Sequence, residues 1–218
     1  MQKCSEGVIT MAARGRPREF DRTVALDHAM KLFWEKGFEG TSMTDLTSVM
    51  GIGSTSLYAA FGAKEDLFRE AVEHYAQTAG AEIWEAVTGA GTAYGAVEAY
   101  LMTTARTFTR GDCPSGCLVV LSALHENGAT GALRADLVAK RALSIQLLVD
   151  RLSQGAATGE IPSTADVLAV ARFYVTVQQG MSIQARDGVD RATLETIARS
   201  ALAAWQPMIS AGAGGRDY

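Results

Sequence analysis

Apolar positions in this chain recur three or four residues apart, the period of a helix that buries one face. The pattern begins after Asp21, a good helix N-cap, and runs through Ala25, Ala29, Leu32 and Phe33 until Gly37 stops it. A short helix opens at Ser42, with Asp45 three residues on as a variant of the capping box, and Gly51 ends it. A second short helix covers residues 54–61, and a longer one starts at Lys64 and continues into the 80s. Beyond residue 88 the pattern predicts helices near 92–109, 115–126, 131–154, 163–186 and 190–209, parted by glycine- and proline-bearing breaks. Only 4 prolines occur and no run of alternating β-branched residues, so the predicted fold is all-α with about nine helices.

The stretch "MTDLTSVMGIGSTSLYAAF" (43–61) has the spacing of a helix-turn-helix. Leu46 and Met50 face inward, Gly51 makes the turn, Ile52 plugs the junction, and Leu57 with Phe61 pack the second helix back. So short a turn between steeply angled helices needs a residue tolerant of positive φ, hence the glycine. The outer face then carries Ser54, Thr55, Ser56, Ala59 and Ala60 beside Tyr58, mostly small residues suited to a major groove about 12 Å wide. Hydroxyls donate to phosphates or base edges, and small apolar groups meet thymine methyls. A plain helical hairpin with a glycine turn has the same spacing, so spacing alone leaves both readings open.

The longer string "FWEKGFEGTSMTDLTSVMGIGSTSLYAAFGAKEDLF" resembles the DNA-binding domain of the TetR/AcrR family of transcriptional regulators. The likeness is specific over residues 20–70, about a quarter of the chain, and is carried more loosely by "CLVVLSAL" and "ARFYVTVQQGMSIQARDG". It implies a three-helix helix-turn-helix DNA-binding domain at 20–66, behind a flexible basic arm at 1–19. A larger helical effector-binding and dimerisation domain at 67–210 and a disordered tail at 211–218 complete the expected organisation. The resemblance further implies that Thr41, Tyr58 and Lys64 touch DNA phosphates, while residues 53–59 present the recognition surface. Thr47 stands where alanine is usual, and Gly53 replaces a common capping serine, leaving Ser54 to take over the cap. Lys64 has an argument of its own. It sits in the first turn of a helix, where dipole and free amides disfavour a cation unless a phosphate satisfies both; a chance surface lysine is the alternative.

Family members act as homodimers, so the C-terminal helices are expected to carry a seam. Val167, Val170, Tyr174, Val177 and Met181 recur at spacings 3, 4, 3, 4, and Leu194, Ile197, Ala201 and Trp205 repeat the idea. Such stripes read equally as ordinary core; as a seam they build a four-helix interface between copies. A two-fold dimer would set its recognition helices about 34–36 Å apart, matching successive major grooves of a palindromic operator. The middle helices would enclose a cavity for a small-molecule effector, with Phe108, Cys117, Leu118, Leu121, His125, Phe173 and Gln178 as candidate lining. Each of these also reads as simple packing, and His125 as a hydrogen-bonded structural histidine.

Composition bears on these readings in three places. Net charge is −4, and residues 1–75 carry nine Lys/Arg against eleven Asp/Glu, so any DNA contact rests on local placement of charge. That placement appears in "ARGRPREFD" (13–21), where Arg14, Arg16 and Arg18 cluster just ahead of the first helix and Arg22 follows. Pro17 holds Arg16 extended, and such arms enter a narrow, A·T-rich minor groove beside the major groove being read. A solvated basic lead-in is the alternative. No run of 18 apolar residues is present, so no membrane partner is expected. The leader lacks a signal-peptide core, so the protein is expected to stay in the cytosol, with Met1 and Met11 both open as starts.

Of three cysteines, Cys113 and Cys117 lie four apart in "GDCPSGCLVV", with Cys117 placed near a helix N-terminus, where thiolate is stabilised. That suits a sensor of electrophiles or oxidants; buried, inert thiols are the alternative. Metal is not expected, since only His125 and Glu126 lie close by in sequence. No cofactor is expected either, and the chain shows no base–nucleophile pair or phosphate-binding glycine loop. A non-enzymatic, ligand-responsive DNA-binding repressor is the leading expectation, with a thiol-dependent enzyme the distant rival.

Overall fold

The computed structural model describes residues 20–124 and 131–210, the side chains of 123 and 124 excepted. The expectations for Arg14, Arg16 and His125, for the basic arm and for the C-terminal tail lie outside the described residues. Among the described residues every regular element is a helix, as the apolar period demands, and none is long and apolar enough to cross a membrane.

Three short helices form the N-terminal head: α1 (Arg22–Lys36), α2 (Met43–Met50) and α3 (Ser54–Phe61). Local chemistry sets their ends. The Asp21 carboxylate accepts from the Thr23 and Val24 amides, and Ser42 and Asp45 complete a reciprocal capping box. Gly51 adopts φ 67°, ψ 25°, the left-handed conformation that the tight turn requires. Phe33, Leu46, Leu57 and Phe68 are fully buried, and the Phe33 and Phe68 rings meet edge to face at 5.0 Å. Arg22, which follows the basic cluster in sequence, is engaged at the first turn of α1. Its Nη2 reaches Glu70 at 2.6 Å and the Ala60 carbonyl at 3.2 Å.

The body comprises α4 (Lys64–Gln77), α5 (Ala81–Gly89), α6 (Ala93–Thr107), α7 (Leu118–Leu124), α8 (Gly131–Ala157), α9 (Val167–Arg186), α10 (Arg191–Leu202) and α11 (Trp205–Ser210). Two of the expected helices are therefore split. The one beginning at Lys64 breaks after Gln77, where the Thr78 hydroxyl donates to His74 and the Gly80 amide turns back to the Tyr75 carbonyl at 2.8 Å. The last one breaks after Leu202 because Pro207 offers no N–H to Ala203 and its ring crowds that carbonyl; the chain restarts with Pro207 in the first turns of α11.

The head meets the body chiefly where α4 packs on α1. Within the body, Arg69 on α4 pairs with Asp136 on α8 at 2.7 Å, and Glu73 pairs with Lys140 one turn along. Arg186, in the last turn of α9, donates to the Trp34 carbonyl at 2.7 Å and the Glu35 carbonyl at 3.3 Å, satisfying acceptors that the end of α1 leaves open.

Candidate DNA-reading face and internal chamber

Helix α3 turns Leu57 and Phe61 into the core and leaves Ser54, Thr55, Ser56, Tyr58 and Ala59 exposed on one continuous outer face, with Tyr58 54% exposed. Its N-cap is Gly53, which contributes no side-chain hydrogen bond, and Ser54 does not replace it. The first amides of α3 therefore have no side-chain cap. Asp45, in the first turn of α2, is held below the usual carboxylate range by the Ser42 hydroxyl and amide and by Lys36. Lys64 opens α4 half-buried, its ammonium 4.3 Å above the Phe38 ring with no carboxylate partner among the described residues. The Asp66 carboxylate caps the same helix through the Ala63 amide.

Thr41 differs from expectation. It is 1% exposed and its hydroxyl donates to the Gly37 carbonyl at 2.7 Å, tying the α1–α2 turn together. A side chain so enclosed and already bonded has no donor left for a phosphate.

The residues of the expected seam are taken up by the chain's own core. Val170, Tyr174, Met181, Leu194, Ala201 and Trp205 are all buried within one chain, and Val167, Val177 and Ile197 pack against that core. Tyr174 lies 6.4 Å from Trp205, ring to ring, and burial pushes its phenol up to about 12. The stripe binds α9 to α10, α11 and α6. The opposite face of α9 stays exposed along Leu168, Arg172, Thr176, Gly180 and Ile183, and α8 beside it exposes Val138.

Among the described residues the body holds a cleft and a chamber that bear on function. A cleft of about 430 Å³ is lined only by α4 and α8, and its charged residues are already paired as Arg69–Asp136 and Glu73–Lys140. The second, a chamber of about 270 Å³, is walled by α4 to α9. Of the expected lining residues it contains Cys117 and Gln178; Phe108, Leu118 and Leu121 are core, and Phe173 packs on Tyr174 outside it. Missed in sequence were Tyr75, Trp84, Tyr100, Lys140, Arg141, Ser144 and Gln179. Their positions carried no local signal beyond helical period.

Cys117 sits just ahead of α7, as its spacing suggested. The amides of Val119 and Val120, the Tyr75 hydroxyl and Arg141 all favour its thiolate, yet burial outweighs them and raises the thiol above its ordinary value. Its backbone amide donates to Ser182 on α9 at 2.8 Å. Cys113 is half-buried, 3.5 Å from Arg110. Among the described residues no cluster of metal-ligating side chains occurs.

A recessed turn with a protruding, small-residue helix, mounted on a multi-helix body with an internal chamber, defines a helix-turn-helix DNA-reading protein with a second functional unit. Residues 25–71 match the family described as bacterial regulatory proteins, tetR family. The HTH-type transcriptional repressor ComR of Escherichia coli (strain K12) is 36% identical over 198 residues, covering 90% of this chain and 94% of ComR. A cysteine mutant of the TetR family transcriptional regulator CifR, complexed with 26bp double-strand operator DNA, superposes with a TM-score of 0.82 at 44% identity. It covers 87% of this chain and all of that one. A putative TetR regulator from Rhodococcus sp. RHA1 is 36% identical with a TM-score of 0.55, covering 86% of this chain and 99% of its own. The chain belongs to the TetR family: it is a DNA-binding transcription regulator and not an enzyme.

Proposed function

We propose that the protein is a transcriptional repressor that binds a palindromic operator as a homodimer and leaves it when a small molecule occupies the chamber. The exposed α3 face carries the reading: Ser54, Thr55, Ser56 and Ala59 meet base edges, Tyr58 and Lys64 meet phosphates, and the uncapped α3 amides supply further donors. Lys64 supports this role because it has no carboxylate to release before taking a phosphate. Arg14 and Arg16 extend the contact into the adjacent minor groove. The work is done in the cytoplasm, where the operator lies. That relatives named repressors and a CifR–operator complex share this architecture supports the same assignment.

The homodimer uses the outward faces of α8 and α9. Gly180 favours this placement: a glycine inside a helix costs about 1 kcal/mol against alanine, and a Cβ there would meet nothing within 4 Å in this chain. A partner helix passing close by supplies the missing reason. Cys117 acts as chamber wall, since its thiol is protonated at neutral pH and burial shields it.

The test is titration of the full-length protein against palindromes from the region upstream of its own gene, across a salt series. Binding should fall steeply with salt, and Lys64→Ala should lower the slope of log affinity against log salt by about one. Tyr58→Ala should weaken binding to every sequence alike. Failure to bind any such palindrome at low salt ends the proposal.

A further inference from the structure

The chamber's lining contains no aspartate or glutamate, whereas Lys140 and Arg141 both reach it. These two cations differ. Lys140 is already paired with Glu73 on α4. Arg141 forms no ion pair or hydrogen bond among the described residues, and its Nη1 is buried without an acceptor. A guanidinium nitrogen held away from water with nothing to bond is costly, and a bound anion removes that cost. Gln178, 8% exposed, and Gln179 reach the same chamber from α9, and neither side chain has a hydrogen-bond partner among the described residues. Trp84, Tyr100, Ile83 and Val120 supply an apolar remainder. One unpaired guanidinium balances a single negative charge, and neutral amides beside it suit a carboxylate better than a doubly charged phosphate.

We propose that the chamber takes a small organic acid, its carboxylate gripped by Arg141 with Gln178 and its aromatic or alkyl body packed on Trp84, Tyr100 and Val120. The assignment rests on the reading of this chamber as the effector site and names the chemical class of that effector. The alternative cleft between α4 and α8 offers no comparable anchor, because its charges neutralise one another.

Calorimetric titration of the full-length protein with benzoate, phenylpropionate and octanoate, each beside its primary amide, tests it. At least one acid should bind about ten- to a hundredfold more tightly than its amide. Arg141→Met should bring that acid down to the level of the amide while leaving amide binding in place, which shows that the chamber is still formed. Gln178→Leu, a milder change, should weaken the acid selectively as well. Equal binding of acids and amides, no acid binding at millimolar concentration, or an Arg141→Met variant that holds the acid as the wild type does would overturn the proposal. An operator-release assay separates the two readings. Arg141-dependent acid binding that leaves the operator complex intact upholds the ligand class and removes the effector reading. Release by amides without any acid preference upholds the effector reading and removes the ligand class.

Discussion

Gly116→Ala should unlatch the α6–α7 loop from α9. Gly116 has φ +82°, where an L side chain is strained by about 1–2 kcal/mol. A Cβ at this site would also sit 2.6 Å from the Ser182 carbonyl oxygen and 2.9 Å from Leu121 Cδ1. The carbonyl is backbone within α9 and cannot swing away, so relief requires moving the loop, at a further cost of about 1–3 kcal/mol. The sum is about 2–5 kcal/mol, which for a chain of this size lowers the melting temperature by about 5–20 °C. The same movement pulls the Cys117 amide off Ser182, so chamber ligands should weaken before operator binding does at low temperature. Gly111→Ala is the control, since a Cβ there meets nothing within 4 Å and should change stability by less than about 0.5 kcal/mol. Thermal and denaturant unfolding followed by circular dichroism measure both. If Gly116→Ala melts within a degree or two of Gly111→Ala, the close approach is not the constraint described.

Arg186→Met keeps the aliphatic stem but loses two charge-assisted hydrogen bonds to the end of α1, at about 1–2 kcal/mol given partial exposure. Operator affinity should fall as the heads lose their setting on α9; full affinity in a stably folded variant would show that Arg186 is only a brace. On the proposed homodimer, Gly180→Trp should give a folded monomer by sedimentation where the wild type sediments as a dimer, and an unchanged dimer would move the seam elsewhere. The buried Cys117 thiol, raised above its ordinary 9.0, holds its proton when the unfolded thiol has lost it. Its contribution is thus complete below about pH 9 and fades above, so Cys117→Ala should flatten the alkaline decline in stability. At neutral pH, iodoacetamide should label Cys113 well before Cys117, and the reverse order would restore a reactive chamber thiol.

How far the chain could be read in advance follows from the range of each signal. Asp21, the Ser42–Asp45 pair and Gly51 act on neighbours within four residues, so the head was legible down to its caps and its turn. Pro207 shows the limit of a smooth helical period: the apolar spacing runs unbroken over 190–209, while the chain parts there into α10 and α11. The α9 stripe marks another limit. Spacing says that Tyr174 and Met181 are buried, and it is silent on whether the same chain or a second copy buries them.

The sequence by itself determined the helices, the helix-turn-helix and the exposed α3 residues, because helical period, caps and a left-handed glycine are local physics. Only the tertiary structure decided that Thr41 is turned inward, that the apolar stripe of α9 is buried by its own chain, and that Arg141 stands unpaired in a chamber with Tyr75, Trp84, Tyr100, Cys117 and Gln178. These residues lie far apart along the chain and meet only through helix packing, and whether a cation is paired depends on what that packing brings near it.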